Sequence, residues 1–143
     1  MFDPFAYPRL ATEGFTPRSP KTPKYNCIAW AAGESHRWWS PMIGYYWPPI
    51  VPRTNSVEAY VQAFGTIGYI PCDDNERFAP LHEADHIRIA LYALNGVPKH
   101  AARQIDVQIW TSKMGSNIDI EHTLTGLEGP FYGTVQKILK KAA

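Results

Sequence analysis

The run Tyr25-Asn26-Cys27-Ile28-Ala29-Trp30-Ala31-Ala32-Gly33 constrains this chain more than any other, because it encodes a short helix with a cysteine in its first turn. Asn26 is a strong N-cap, Ala31 and Ala32 are good helix formers, and Gly33 is the expected stop. At a helix start the unpaired backbone N–H groups and the positive end of the dipole favour a thiolate. A thiolate nucleophile needs a group that takes and returns protons. The downstream run Lys99-His100-Ala101-Ala102-Arg103-Gln104 offers one in His100, on what reads as a strand.

The organisation around these two runs is that of a single α+β domain. Residues 1–24 carry Pro4, Pro8, Pro17, Pro20 and Pro23, which argues against a helix and for an extended arm whose Phe2, Phe5, Tyr7 and Phe15 pack on a domain spanning 25–143. The stretch 38–49 is dense in aromatics and broken by proline, hence a packed loop that walls a cleft or fills a core. A helix is expected over 56–64, with Asn55 and Glu58 as its capping pair, Val57, Tyr60, Val61 and Phe64 on one face, and Gly65 as its end. A short extended piece follows at 68–72 and a polar loop at 73–78. Strands are expected over 86–94, 99–105 and 107–112, with Asn95-Gly96 and Asp106 as their turns, making an antiparallel meander. Val135, Ile138 and Leu139 predict a closing helix within 131–141.

Charge narrows the partners. Over 143 residues, 14 basic and 13 acidic side chains leave a formal charge of +1 with no basic stripe, which argues against nucleic acid and membrane surfaces as partners. Lys137, Lys140 and Lys141 form the only like-charged cluster, read as the end of the closing helix. Neither a secretory signal nor a bilayer-length apolar run is visible, so a cytoplasmic setting is the default, with export by a system that reads no cleavable signal left open. In a reducing compartment Cys27 and Cys72 stay unpaired.

His100 has four rivals. His36 falls in a loop beside Arg37. His82 and His86 flank a strand start among Glu83 and Asp85, in a spacing that fits no common zinc signature, and no metal or other cofactor is expected. His122 competes for a place in the site. Ala101 and Ala102 leave room beside His100, and a strand start supports a general base rigidly. Its orienting partner falls in Trp110-Thr111-Ser112-Lys113-Met114-Gly115, where Ser112 relays a hydrogen bond, or at Asp119 if the next loop folds back.

Together Tyr25-Asn26-Cys27-Ile28-Ala29-Trp30-Ala31, Ile89-Ala90-Leu91-Tyr92, His100-Ala101-Ala102-Arg103-Gln104, Trp110 to Gly115, Asp119-Ile120-Glu121-His122 and Tyr132-Gly133 resemble the papain-like cysteine hydrolases of the NlpC/P60 kind, in an uncharacterised bacterial branch. The resemblance spans residues 24–134 and implies a cysteine-bearing helix packed on a small antiparallel sheet. It implies a peptidase or amidase in which Cys27 forms a thioester, His100 acts as base and then acid, and a polar residue such as Ser112 or Asp119 orients the ring. Tyr25 takes the place of an oxyanion-binding residue, with Asn26, Trp39 and Lys113 beside the substrate. The implied substrates are peptides, isopeptides or side-chain amides, with peptidoglycan and protein targets among them. An acyltransferase or deamidase toxin would use the same pair, and an inactive binding or immunity-type protein would keep the scaffold alone. Ile28 departs from the small polar residue common after the cysteine.

Overall fold

A computed structural model describes residues 2–72 and 85–143, so the expected 73–78 loop, and His82 and Glu83, lie outside the described residues. One antiparallel sheet organises the chain. Its strands are β1 (Phe15–Ser19), β2 (Ile70–Pro71), β3 (His86–Leu94), β4 (Val97–Gln104), β5 (Trp110–Lys113), β6 (Asp119–His122) and β7 (Thr134–Ala142), in the order β1-β6-β5-β4-β3-β7-β2. Among the described residues three helices accompany it: α1 (Pro8–Glu13), α2 (Cys27–Ala31) and α3 (Val57–Gly65), with a 3-10 turn at Leu124–Leu127. The architecture is thus α+β with seven strands rather than a three-stranded meander.

The β3–β4 hairpin forms where Asn95-Gly96 predicts it. Both residues adopt positive φ, 52° and 79°, as a tight hairpin turn requires. The expected closing helix is instead β7, antiparallel to β3 from His86–Ala142 to Ala93–Thr134. Ile138 and Leu139, which a helix would place on one face, point to opposite sides of the sheet and enter different cores. A strand covered on both faces loses the alternation that would have identified it.

The proline-rich start is also more regular than an arm. Pro8 occupies the first turn of α1, where its missing N–H has no helical partner to lose. Pro17 sits in β1, the edge strand beside β6, where a ladder donor can be spared. Helix α3 starts one residue later than expected, with the Ser56 hydroxyl, not Asn55, accepting the Ala59 N–H.

Two cores result, one on each face of the sheet. The first joins α2 and α3 to Ile89, Leu91, Ala101 and Leu139, with Trp39 stacked on Phe64 at 6.3 Å. The second joins Ala90, Tyr92, Ala102, Trp110, Ile120 and Ile138 to Leu10, Leu127 and Tyr132. Side-chain alternation along β4 therefore sends Ala101 toward α2, and His100 and Ala102 to the other face.

Candidate functional site

Helix α2 delivers Cys27 as its first residue. Asn26 caps it with extended backbone, φ −110°, and its Oδ1 accepts N–H groups from both Ala29 and Trp39 at 3.1 Å. The Asn26 amide returns a hydrogen bond to the Trp39 carbonyl at 2.8 Å, which ties the aromatic loop to the helix start. Trp39 itself is buried, its indole N–H on Glu34 at 2.9 Å, so its ring packs in the core.

Pairing between β4 and β5 stops at Arg103–Thr111, and the Ala101 amide beyond it meets the Cys27 sulfur instead of a β5 carbonyl. The N–H groups of Ala101, Ile28 and Cys27 itself, and the Lys113 ammonium, all favour a negative sulfur, but burial outweighs them and pushes the thiol up to about 11. The expected ready thiolate is corrected here: a helix of five residues has little dipole to oppose desolvation.

His100 follows directly along β4 from the peptide that meets the sulfur, yet its ring turns to the other face. It is 0% exposed, stacked on Tyr132 at 4.1 Å with planes 12° apart, and 5.5 Å from the Tyr92 ring. Neither ring nitrogen has a hydrogen-bond partner, so no hydrogen bond joins it to Cys27. Burial, with the neighbouring His122 adding to it, holds its pKa well below the usual histidine value, and the ring is neutral.

Strand β5 divides the remaining candidates by face. Thr111 and Lys113 lie on the α2 side, where the Thr111 hydroxyl accepts the Trp30 indole N–H at 3.1 Å. The buried Lys113 ammonium donates to the carbonyls of Thr22 and Gly115 and lies 5.1 Å from the Tyr25 ring. Asp119 pairs with Lys113 across β5–β6, and its Oδ2 accepts the Tyr25 hydroxyl at 2.7 Å and the Ser19 hydroxyl at 2.6 Å. Tyr25, Lys113 and Asp119 thus form one buried polar group between the sheet and residues 19–25, while Asp119 Oδ1 stays unpartnered.

Ser112 falls on the His100 side. Its Oγ lies 2.6 Å from His122 Nε2, and His122 Nδ1 lies 2.7 Å from the Thr123 carbonyl. Burial lowers His122 to about 4, so it too is neutral. The sequence showed Ser112 and His122 as separate candidates. Their pairing depends on the β5–β6 register, which puts Trp110 opposite His122, and 119–122 carried no strand signal of its own. Of the other rivals, His86 sits beside Asp85 at 3.0 Å and His36 beside Glu34 at 3.9 Å, both at the surface. Cys27 carries a free thiol. Among the described residues no group of three His, Cys, Asp or Glu side chains could hold a metal, and no helix is long and apolar enough to cross a membrane.

The fold and site define a class: an α+β protein in which a helix-borne cysteine is set against an antiparallel sheet, beside a strand that buries a neutral histidine. The chain belongs to the family described as Domain of unknown function (DUF7689), whose profile matches residues 17–140. No curated protein and no solved structure matches it.

Proposed function

We propose that this chain is a thiol hydrolase on a papain-like scaffold, acting on a peptide, isopeptide or side-chain amide through a Cys27 thioester. One observation carries the reading. The Cys27 sulfur meets the Ala101 amide, one residue along β4 from an imidazole buried on the opposite face with both nitrogens free, an arrangement costly to a sheet core unless it serves chemistry.

Both partners rest neutral, so the proton moves during attack rather than before it. As sulfur bonds to the carbonyl carbon, a bare nitrogen of His100 takes the thiol proton, a step that requires the β4 segment at His100 to turn over, because the ring starts on the sheet face opposite Cys27. The N–H groups around the sulfur are the donors at hand for the carbonyl oxygen as it becomes an oxyanion. Collapse breaks the C–N bond, with the imidazolium returning its proton to the leaving amine. Water then attacks the thioester, giving a proton to His100, and the carboxylate leaves as sulfur is reprotonated. An acyltransferase would differ only in replacing that water with another acceptor, and a deamidase in releasing ammonia.

The test uses p-nitrophenyl acetate as a generic acyl donor, in protein carrying Cys72→Ser, with intact mass to find the adduct. An acetylated Cys27 that turns over is expected, lost in Cys27→Ala and slowed at least about a hundredfold in His100→Ala. Turnover unchanged in Cys27→Ala would refute the reading.

A second reading, an inactive binding or immunity-type scaffold, has its own observation. Met42, Ile43 and Ile50 are 68%, 93% and 86% exposed, on a segment whose carbonyls at Met42 and Tyr45 accept the Arg53 guanidinium at 2.9 and 3.3 Å. A braced loop with bare apolar tips suits protein recognition. Under that reading no acyl adduct forms, and Ile43→Asp abolishes complex formation.

A further inference from the structure

The aromatic loop between α2 and α3 holds two tight turns, and each carries an isoleucine at its crown. In the first, the Tyr45 N–H donates to the Met42 carbonyl at 3.4 Å, with Ile43 and Gly44 as the central residues and Gly44 at φ 99°, as a type II turn requires. In the second, the Val51 N–H donates to the Pro48 carbonyl at 3.1 Å, with Pro49 and Ile50 in the centre. Ile43 and Ile50 are almost fully exposed, and Met42 is largely so. Their frame is nonetheless fixed. The Arg53 guanidinium donates to the Met42 and Tyr45 carbonyls, the Trp47 indole N–H donates to the Pro52 carbonyl at 3.1 Å, and Trp39 and Trp47 root the loop in the first core.

An apolar tip does not name its occupant, but the polar groups around it do. Pro41, Pro48, Pro49 and Pro52 bring no N–H, and the carbonyls of Met42, Tyr45, Tyr46, Pro48 and Pro52 all accept from donors within the protein. A loop satisfied in this way can leave water without stranding backbone dipoles. A protein partner makes no such demand, since it supplies hydrogen bonds of its own. Charge points the same way. From Ser35 to Val57 there is no Asp or Glu, whereas Arg37 and Arg53 are both present. Glu34 before this stretch is engaged by Arg37 and Trp39, and Glu58 after it belongs to α3. The exposed Lys21 and Lys24 flank Pro23, whose carbonyl takes the Trp38 indole N–H at 2.7 Å, and the half-buried Trp38 ring lies 5.8 Å from that of Tyr45. Apolar crowns, aromatics behind them and cations beside them match the layers of a membrane–water interface. The even charge of the whole chain averages this local pattern away.

We propose that the two turns dock the protein on an anionic phospholipid surface. Met42, Ile43 and Ile50 enter the acyl boundary, Trp38 and Tyr45 lie at headgroup depth, and Arg53, Lys21 and Lys24 face lipid phosphates. Because the loop is already braced, little ordering accompanies insertion. Asn26 ties Trp39 to the start of α2, so docking holds the Cys27 helix in one orientation to the surface. The proposal is independent of whether Cys27 is catalytic.

Sedimentation of the full chain with sucrose-loaded vesicles tests it, using phosphatidylcholine alone and an equal mixture of phosphatidylcholine and phosphatidylglycerol. Binding to the mixed vesicles should be at least about tenfold tighter than to the neutral ones. Ile43→Asp should weaken it at least about tenfold and Ile43→Trp should preserve it, at a position too exposed for either change to disturb the fold. Lys21→Glu combined with Lys24→Glu should weaken binding to the mixed vesicles. An environment-sensitive fluorophore on Ile43→Cys, in protein carrying Cys27→Ser and Cys72→Ser, should shift to the blue on those vesicles. No binding to either vesicle, equal binding to both, or binding that Ile43→Asp leaves unchanged overturns the proposal. Tips that bind no vesicle yet are required for a protein complex overturn it in favour of a protein partner.

Discussion

The protonation of Cys27 can be tested quantitatively. Burial raises the thiol from an ordinary 9.0 to about 11 against the pull of three backbone N–H groups and Lys113. At pH 8 an ordinary thiol is about one-tenth thiolate, whereas this one is about one-thousandth, so alkylation should be slowed about a hundredfold by ionisation alone. Protein carrying Cys72→Ser would be treated with iodoacetamide from pH 6 to pH 10.5, folded and in urea, and the adduct followed by intact mass. The unfolded chain should give the midpoint of a free thiol, and the folded chain should still be rising at pH 10.5. The same shift has a stability consequence with a definite sign. The folded state favours the protonated thiol, so this contribution is whole below about pH 9 and fades as pH rises toward 11. A folded midpoint below about pH 8 would refute the reasoning, since it would mean that the N–H groups outweigh desolvation.

Three further outcomes are expected. His122 at about 4 and His100 well below its usual value bind protons more readily when unfolded, so stability is full above about pH 6.5 and lost as pH falls toward 4. For His122 alone the loss from pH 8 to pH 5 is about 2 kcal/mol, and urea midpoints should show a smaller loss in His122→Gln. Asn26→Ala removes the cap of α2 and both bonds to Trp39, and should cost about 3 kcal/mol in urea unfolding; a cost below about 1 kcal/mol would mean that the loop holds without it. At Gly133, with φ at 78°, a Cβ would lie 1.9 Å from the Ala93 carbonyl oxygen, so Gly133→Ala should cost at least about 3 kcal/mol and lower the melting temperature sharply.

What the sequence revealed depended on how local each signal was. The α2 cap, the start of α3 to within a residue, strand β3 and its Asn95-Gly96 turn rest on neighbouring residues, and all were readable. Strands β1, β6 and β7 were not. Pro17 disguises an edge strand, β6 has four residues, and β7 is covered on both faces at Ile138 and Leu139. At the site, α2 packs on the strand that bears His100 with the sulfur against Ala101, but the expected pairing of Cys27 with the His100 ring does not form. The face of that strand was not evident, because Ala101 and Ala102 are equally small and both buried, which removes the polar and apolar alternation that marks an inward side. Desolvation is a property of the assembled cores and left no trace in the motif.

The way β1 joins the sheet also sets an order of events. Ser19 bonds Asp119 at a sequence separation of 100, and Glu13 accepts the hydroxyls of Thr123 and Thr125 over a similar span. Closing so long a loop is entropically unfavourable until β6 has formed, whereas the β3–β4 hairpin needs only its own turn. The first nineteen residues should therefore dock last during folding and detach first under stress. In hydrogen exchange the β1 amides would open at a lower free energy than those of β3, marking a partially unfolded form with the central strands still paired.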